Sequence, residues 1–212
     1  MSVVPPPVKK RLDRQDSVET VMRATYSYTA QNNDELSIAV DDVVYVLSAS
    51  TDAGWVKCRS GNNIGLVPAN YLSENLATIE NPLHEAAKRG NIEFVKELID
   101  NKVSANSLDK ARNTPLHWAC RGGHHQVVDL LLKQKPTINA QNRIGDTALH
   151  LAAVSGSVET VSLLLESDGI DTLLRNKDGA TARDLAKNDQ VASLLIQFSS
   201  TVTNGEDQDE DD

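Results

Sequence analysis

The sequence predicts a multidomain chain of the β + α class, in which a small β-barrel is followed by an all-α repeat solenoid. All four tyrosines lie within residues 21–76, whereas the chain after residue 80 has a helical Leu/Ala/Val pattern. That second part repeats itself every 33 residues, which is typical of a solenoid. We therefore expect a disordered N-terminus at 1–20, a barrel at 21–76, repeats at 77–198 and a disordered acidic tail at 199–212.

The composition excludes several classes of protein. The net charge is −9, and no segment has the basic excess that binding to nucleic acid requires. No apolar run approaches the ~20 residues of a membrane span. The start, MSVVPPPVKKR, has prolines and charges where a signal peptide needs an apolar stretch. The two cysteines form no secreted-type framework. We expect a cytoplasmic protein without nucleic-acid partners or membrane insertion.

The barrel is predicted from short β-favouring runs at 43–47, 55–59 and 64–67, separated by the turn clusters SASTDAG and SGNN. Short strands at this close spacing favour a small barrel. In the middle run Lys57 and Arg59 alternate with apolar residues, which predicts a strand with one face towards solvent.

Four motifs in this segment occur in a characteristic order: ATYSY at 24–28, NNDELSI at 32–38, GW at 54–55 and GLVPANYL at 65–72. The segment therefore resembles the Src-homology-3 (SH3) family, which implies binding of proline-rich peptides in the polyproline II conformation. Self-docking of the proline-rich N-terminus is a weak alternative, because Pro5-Pro6-Pro7 is followed by Val8 and gives no PxxP motif.

The SH3 resemblance implies a peptide groove and a negative pole for a basic flank of the ligand. An exposed charge pair contributes only ~0.2–1 kcal/mol, whereas a buried aromatic anchor contributes ~2 kcal/mol or more, so the aromatic residues should set affinity. Aromatic residues on strands also fill cores, and we prefer that role for Tyr45. The implied groove is Tyr26, Tyr28, Trp55, Pro68, Asn70 and Tyr71, and the implied acids are Glu35, Asp34 and Asp52.

The repeats begin with NPLHEAAKRGN at Asn81, TPLHWACRGGH at Thr114 and TALHLAAVSGS at Thr147. A fourth, degenerate unit starts at Thr181 and has Asp184 in place of the histidine. Each unit continues with a second helical pattern, and stacking of neighbours is needed to bury both helices. The expected units are about 80–110, 111–143, 144–177 and a degenerate 178–198.

These motifs resemble the ankyrin family. We expect the threonine to cap the first helix, the histidine to bond loop backbone between repeats, and Gly90, Gly123 and Gly156 to be left-handed. A metal or nucleophile cluster of Cys120, His124 and His125 is a poor alternative, because the spacing is not that of a zinc site. Trp118 could serve as a contact residue or tuck against a neighbouring repeat. The surface candidates are Glu85, Arg89, Trp118, Arg121 and Leu151.

Two binding modules without catalytic motifs predict a signalling adaptor that is not an enzyme and needs no cofactor or metal. The expected partners are proline-rich proteins, with Src-family signalling proteins as a suspected context, and a second, unknown protein on the repeats. The module order resembles adaptors that indirectly promote osteoclast formation and bone resorption. The alternative is a regulatory subunit or inhibitor that acts mainly through the concave face of the repeats.

Overall fold

The computed structural model describes residues 18, 20–48 and 54–203. Of the expected disordered N-terminus at 1–20, only residues 18 and 20 are described. Residues 204–212 of the expected acidic tail and the predicted site residue Asp52 also lie outside the described residues. The chain divides into two compact units. One extends to Pro82 and includes Asn101–Val103, and the other contains Leu83–Asp100 and the residues from Ser104 onward.

The first unit is a five-stranded antiparallel sheet with the order β4-β3-β2-β1-β5. The two end strands, β4 and β5, are not paired with each other, so the sheet is open rather than a closed barrel. One short helix, α1, connects them. The elements are β1 Thr20–Ala24, β2 Val43–Ser48, β3 Trp55–Ser60, β4 Asn63–Pro68, α1 Ala69–Asn75 and β5 Leu76–Thr78.

The core of this unit comes from alternate positions of its strands. Val44 and Val46 of β2 lie on the same side of the sheet as Val56 and Cys58 of β3, and all four are buried. The predicted solvent face of β3 is wrong at Lys57, which is only 8% exposed. Both faces of this strand are buried from Trp55 to Cys58. The alternating sequence pattern predicts burial only of the face that carries the apolar residues.

The second unit consists of three helix pairs and a final single helix. The pairs are α2 Pro82–Arg89 with α3 Ile92–Asp100, α4 Pro115–Gly122 with α5 His125–Leu132, and α6 Ala148–Ser155 with α7 Val158–Leu165. In the degenerate unit the first helix is reduced to a turn over 182–185, and the last helix, α8, spans Asp189–Thr203. It thus continues past Phe198 into the segment expected to be a disordered tail. That stretch contains no glycine or proline to stop a helix.

The core of the second unit repeats with the sequence. Equivalent positions in successive repeats are fully or almost fully buried, which is the stacking that the 33-residue period predicts. The left-handed backbone expected after each first helix is confirmed, with φ of 67° at Gly90 and Gly123 and 80° at Gly156. The periodic core consists of Leu83, Leu116 and Leu149, Val95, Val128 and Val161, and Leu98, Leu131 and Leu164.

Loops between the repeats form a continuous strip, and we call them the finger loops: 109–113, 142–146 and 176–180. Arg143 N–H donates to the carbonyl of Ala111 at 2.9 Å, and Lys177 N–H donates to that of Ile144 at 2.9 Å. Each finger loop is thus held to the next by backbone. Within the described ranges, no helix combines the length and apolar character needed to cross a bilayer.

Candidate peptide-binding sites

Three tyrosines predicted from the SH3 motifs come together in the first unit. The rings of Tyr28 and Tyr71 lie 5.2 Å apart between centroids at 46°, and the Tyr71 hydroxyl donates to the backbone carbonyl of Tyr26. Tyr26 itself is 64% exposed. Burial raises the pKa of Tyr71, and the negative charge of Asp42 raises it further. The hydroxyl therefore remains a hydrogen-bond donor at neutral pH.

Trp55 and Pro68 are direct partners across β3 and β4, and Ala69 N–H closes this corner by donating to the Gly54 carbonyl at 3.0 Å. Pro68 is half-buried and Asn70 is exposed at the start of α1. Trp55 is only 5% exposed. The SH3 resemblance predicts Trp55 as a groove residue. In the structure its indole presents little area to a ligand, because both faces of its strand are covered.

Glu35 is tied into its own loop, which the sequence did not predict. It is 9% exposed, and its carboxylate accepts hydrogen bonds from the Tyr28 hydroxyl at 2.8 Å, Gln31 N–H at 2.7 Å and the Asn32 amide at 2.6 Å. This geometry corrects the expectation that Glu35 faces a ligand cation. Its effect is to orient Tyr28. Of the other two predicted acids, Asp34 is exposed and Asp52 is not described.

The same contact affects the Tyr28 hydroxyl. Burial is the largest cause that raises its pKa, followed by the hydrogen bond to Glu35 and the charge of that carboxylate. The hydroxyl proton is thus directed to Glu35, while the ring remains part of the tyrosine cluster. A Glu seven residues after a Tyr in this motif, with Asn32 between them, is the signal that could have revealed the pair.

The repeat histidines bond loop backbone, as the sequence predicts. Nδ1 of His117 accepts from Thr114 N–H at 3.1 Å and lies 2.8 Å from its hydroxyl, and Nε2 lies 3.0 Å from the Asp146 carbonyl. His150 repeats the arrangement with Thr147, and its Nε2 lies 3.1 Å from the Ala180 carbonyl. Because Nδ1 accepts from a backbone N–H, Nε2 carries the hydrogen that is donated to the loop carbonyl.

The first and last units depart from this pattern. Asn81 stands in place of the capping threonine, with φ of 50°, and Nδ1 of the buried His84 has no partner there. In the last unit Asp184 performs the local half of the histidine's role, because its carboxylate accepts from Thr181 N–H and hydroxyl at 2.8 Å each. Burial lowers the pKa of both His84 and His117.

Trp118 lies half-buried at the junction of the first two repeats. Its Nε1–H donates to Asp109 Oδ2 at 2.9 Å, and the ring carries Lys88 Nζ at 5.0 Å and Arg121 Cζ at 5.8 Å from its centroid. Trp118 thus combines parts of the two roles that the sequence allows, a contact residue and a residue packed against a neighbouring repeat. Its edge is anchored to the neighbouring finger loop, and its face supports two exposed cations.

The remaining surface candidates differ in what they can offer. Glu85 and Arg89 form an exposed ion pair of 3.6 Å along α2. Leu151 is 8% exposed and belongs to the core, so the expectation of a surface contact is corrected there. Val154, one turn further along α6, is 46% exposed and occupies the accessible position instead.

The cysteine and histidine alternative has no support from the geometry. Cys120 is completely buried, and burial raises its thiol pKa, so the nucleophilic thiolate is disfavoured. His124 Nε2 lies 3.1 Å from the Lys88 carbonyl and links two repeats. The described residues include no group of three or more potential metal ligands. Cys58 is also buried, which raises its pKa to about 12.

Comparison with known families defines the class of the chain. The model for ankyrin repeats matches three times, at residues 58–142, 83–176 and 134–207, and these matches cover more than half of the chain. The chain therefore belongs to the ankyrin-repeat family. A variant SH3 domain matches residues 24–73. Both are protein-interaction modules, in the order that the sequence motifs predict.

Curated relatives of this chain include osteoclast-stimulating factor 1 from several vertebrates, which is also the resemblance that the module order predicts. The proteins of Sus scrofa and Gallus gallus are 45% and 46% identical over 94 residues. That of Xenopus laevis is 48% identical over 94 residues. Each alignment covers 44% of this chain and 44%, 46% and 44% of the respective relative. The chain thus matches less than half the length of each of these relatives.

Proposed function

We propose that this chain is a cytoplasmic signalling adaptor, and not an enzyme, that joins a proline-rich protein on its SH3 unit to a second protein on its ankyrin repeats. The combination of two interaction modules supports this proposal. Two buried, free thiols are consistent with a reducing compartment. The relatives' name, osteoclast-stimulating factor 1, supports a role in osteoclast stimulation. The proposal also includes signalling that promotes bone resorption and Src-family proteins among the partners.

The tyrosine cluster is the observation that carries the SH3 half of the proposal. A polyproline II ligand has exposed carbonyls and flat proline rings. The exposed Tyr26 and the partly exposed Tyr28, whose ring packs on Tyr71, offer aromatic area to such rings, and the exposed Asn70 offers an amide to the carbonyls. Because Glu35 is committed to its own loop, we assign the negative pole for a basic flank to the exposed Asp34, and the other expected acid, Asp52, lies outside the described residues.

Peptide titration tests this groove. A proline-rich peptide with a flanking arginine is titrated into the full chain and into a Tyr26→Ala variant, which should bind at least ~10-fold more weakly if Tyr26 is an anchor. Ile64→Ala, at a residue 47% exposed on β4, is the matched control and should bind normally. No binding by the wild type, or equal binding by Tyr26→Ala, would disprove the groove.

A second candidate is a regulatory subunit or inhibitor that acts mainly through the ankyrin repeats. The half-exposed Trp118 with its two cations favours a contact site on that unit. Affinity capture with wild type, Tyr26→Ala and Trp118→Ala separates the two functions. An adaptor loses different proteins in the two variants, whereas an inhibitor loses its main partner only with Trp118→Ala.

A further inference from the structure

Exposed cations collect around Trp118, in a protein whose net charge is −9. Lys88 and Arg121 lie over the indole ring from two successive repeats. The indole N–H donates to Asp109, which begins the finger loop that contains Arg112. The backbone carbonyl of Ala111 in that loop accepts from the backbone N–H of Arg143 in the following finger loop. We define the basic surface as Lys88, Arg112, Trp118, Arg121 and Arg143.

The positive charge of this surface is not compensated locally. In the described part of the chain, no ion pair is formed by Lys88, Arg112, Arg121 or Arg143. Of the carboxylates near Lys88 and Trp118, Glu85 pairs with Arg89 at 3.6 Å. Asp109 accepts bonds from Trp118 Nε1, the Ala111 and Asn113 N–H groups and the Asn113 amide. Partial burial would raise the pKa of Asp109, but these hydrogen bonds lower it overall and keep it ionised.

We propose that the basic surface binds an acidic, extended peptide segment of a partner protein. This inference rests on the proposed adaptor function and names the chemistry of its second partner. The cations come from two helices and two finger loops, so they match several carboxylates spread along a chain better than one compact anion. A nucleic acid would meet the same cations but would be repelled by the overall negative charge.

Trp118 also positions two of the cations on the basic surface. Cations held over an indole face are attracted to the ring, and Asp109 fixes the edge of that ring. Lys88 and Arg121 are therefore positioned before a ligand arrives, so they lose less side-chain freedom on binding than isolated surface cations. The contact should weaken with salt, because exposed charges within reach of solvent are screened.

The test uses two forms of the full chain, the wild type and a variant with the acids of residues 206–212 changed to Asn or Gln, so that competition from the chain's own tail is measured. The probe is a labelled peptide NGEDQDEDD, with NGQNQNQNN as its neutral counterpart. We expect the acidic probe to bind and the neutral one not to bind. Lys88→Gln/Arg121→Gln should weaken binding about 3–10-fold, which is ~0.3–0.7 kcal/mol for each of the two lost charge pairs, as expected for exposed pairs. Raising the salt concentration should weaken it further.

The matched control is Lys96→Gln/Lys133→Gln, which removes the same charge from the second-helix side of the first two repeats, where both lysines are already paired. Equal loss in the two double variants, or tighter binding of poly(U) than of the acidic probe, overturns the proposal. Binding that appears only after the tail acids are replaced assigns the surface to the chain's own tail and also overturns it. If the probe fails while Trp118→Ala still loses a captured partner, the adaptor function stands and only this chemistry fails.

Discussion

Replacing Tyr28 by Phe should destabilise the SH3 unit through Glu35, and the loss should largely disappear when Glu35 is Gln. The Tyr28 hydroxyl donates to a carboxylate that is 9% exposed, at 2.8 Å. A hydrogen bond to a charged group contributes ~1.5–3 kcal/mol to stability. Two further donors, Gln31 N–H and the Asn32 amide, remain on the carboxylate and reduce the cost. We expect a free energy loss near the lower end of that range.

A double-mutant cycle isolates this contact. The four chains are wild type, Tyr28→Phe, Glu35→Gln and the double variant, all carrying Trp118→Phe so that Trp55 is the single fluorescent indole. Urea unfolding then reports the first unit, and the midpoint together with the slope gives the free energy of unfolding. The expected coupling energy is about 1–2 kcal/mol, because the amide of Gln binds the hydroxyl far more weakly than a carboxylate.

Ser73→Ala provides the control for this cycle. Ser73 bonds the carbonyl of Asn70 in α1 and has no contact with Glu35, so its coupling to Glu35→Gln should be close to zero. A Tyr28–Glu35 coupling as small as that control would refute the assignment of Glu35 to the interior of its loop. The acid would then be available to a ligand, as the SH3 motif alone suggests.

Three further predictions concern stability. His84 and His117 have pKa values lowered by burial, so the unfolded chain binds more protons below about pH 6.5. The free energy of unfolding of the ankyrin unit should therefore have its full value above that pH and decrease below it. Identical urea midpoints at pH 7.5 and 5.5 would contradict this. Asp41 has φ of 71°, so Asp41→Gly should be more stable than Asp41→Ala by ~1 kcal/mol in urea unfolding; the reverse order would exclude strain at this turn. Gly90→Ala should cost ~1–3 kcal/mol more than Gly179→Ala in thermal unfolding, because both are left-handed but only at Gly90 would the new Cβ meet a side chain, at 2.7 Å; equal losses would show that this side chain moves away freely.

The repeats were predictable because their local and long-range signals coincide. The 33-residue period places the core leucines, the capping threonine and the bridging histidine at fixed offsets, so one pattern specifies both helices and their stacking. The left-handed turn at Asp41 was equally predictable from its short polar side chain. Each of these features depends on residues close in sequence or on an exact repeat.

The missed features depend on contacts between distant residues. Strands β1 and β5 are too short to show an alternating sequence pattern of their own. They are defined by their pairing, in which Leu76 lies opposite Ala24 from the other end of the unit's sequence. The burial of Lys57 and Trp55 depends on what covers the second face of β3. The role of Glu35 in orienting Tyr28 depends on how its loop folds, and the sequence motif alone does not predict those hydrogen bonds.

The histidine bonds of the ankyrin unit give the solenoid a chemical direction. Each imidazole donates its Nε2–H to a backbone carbonyl of the following unit. The acceptors are the carbonyls of Asn113, Asp146 and Ala180. Asp184 has only lone pairs to offer, so the series of donors stops in the fourth unit. Separating the second or third unit from the one after it leaves a buried donor without an acceptor, whereas the detached loop keeps only a carbonyl, which water satisfies easily. At the first junction His84 keeps the carbonyl of Ser107, at 3.1 Å in its own unit. The two sides of the second and third junctions are therefore destabilised unequally when the stack is opened.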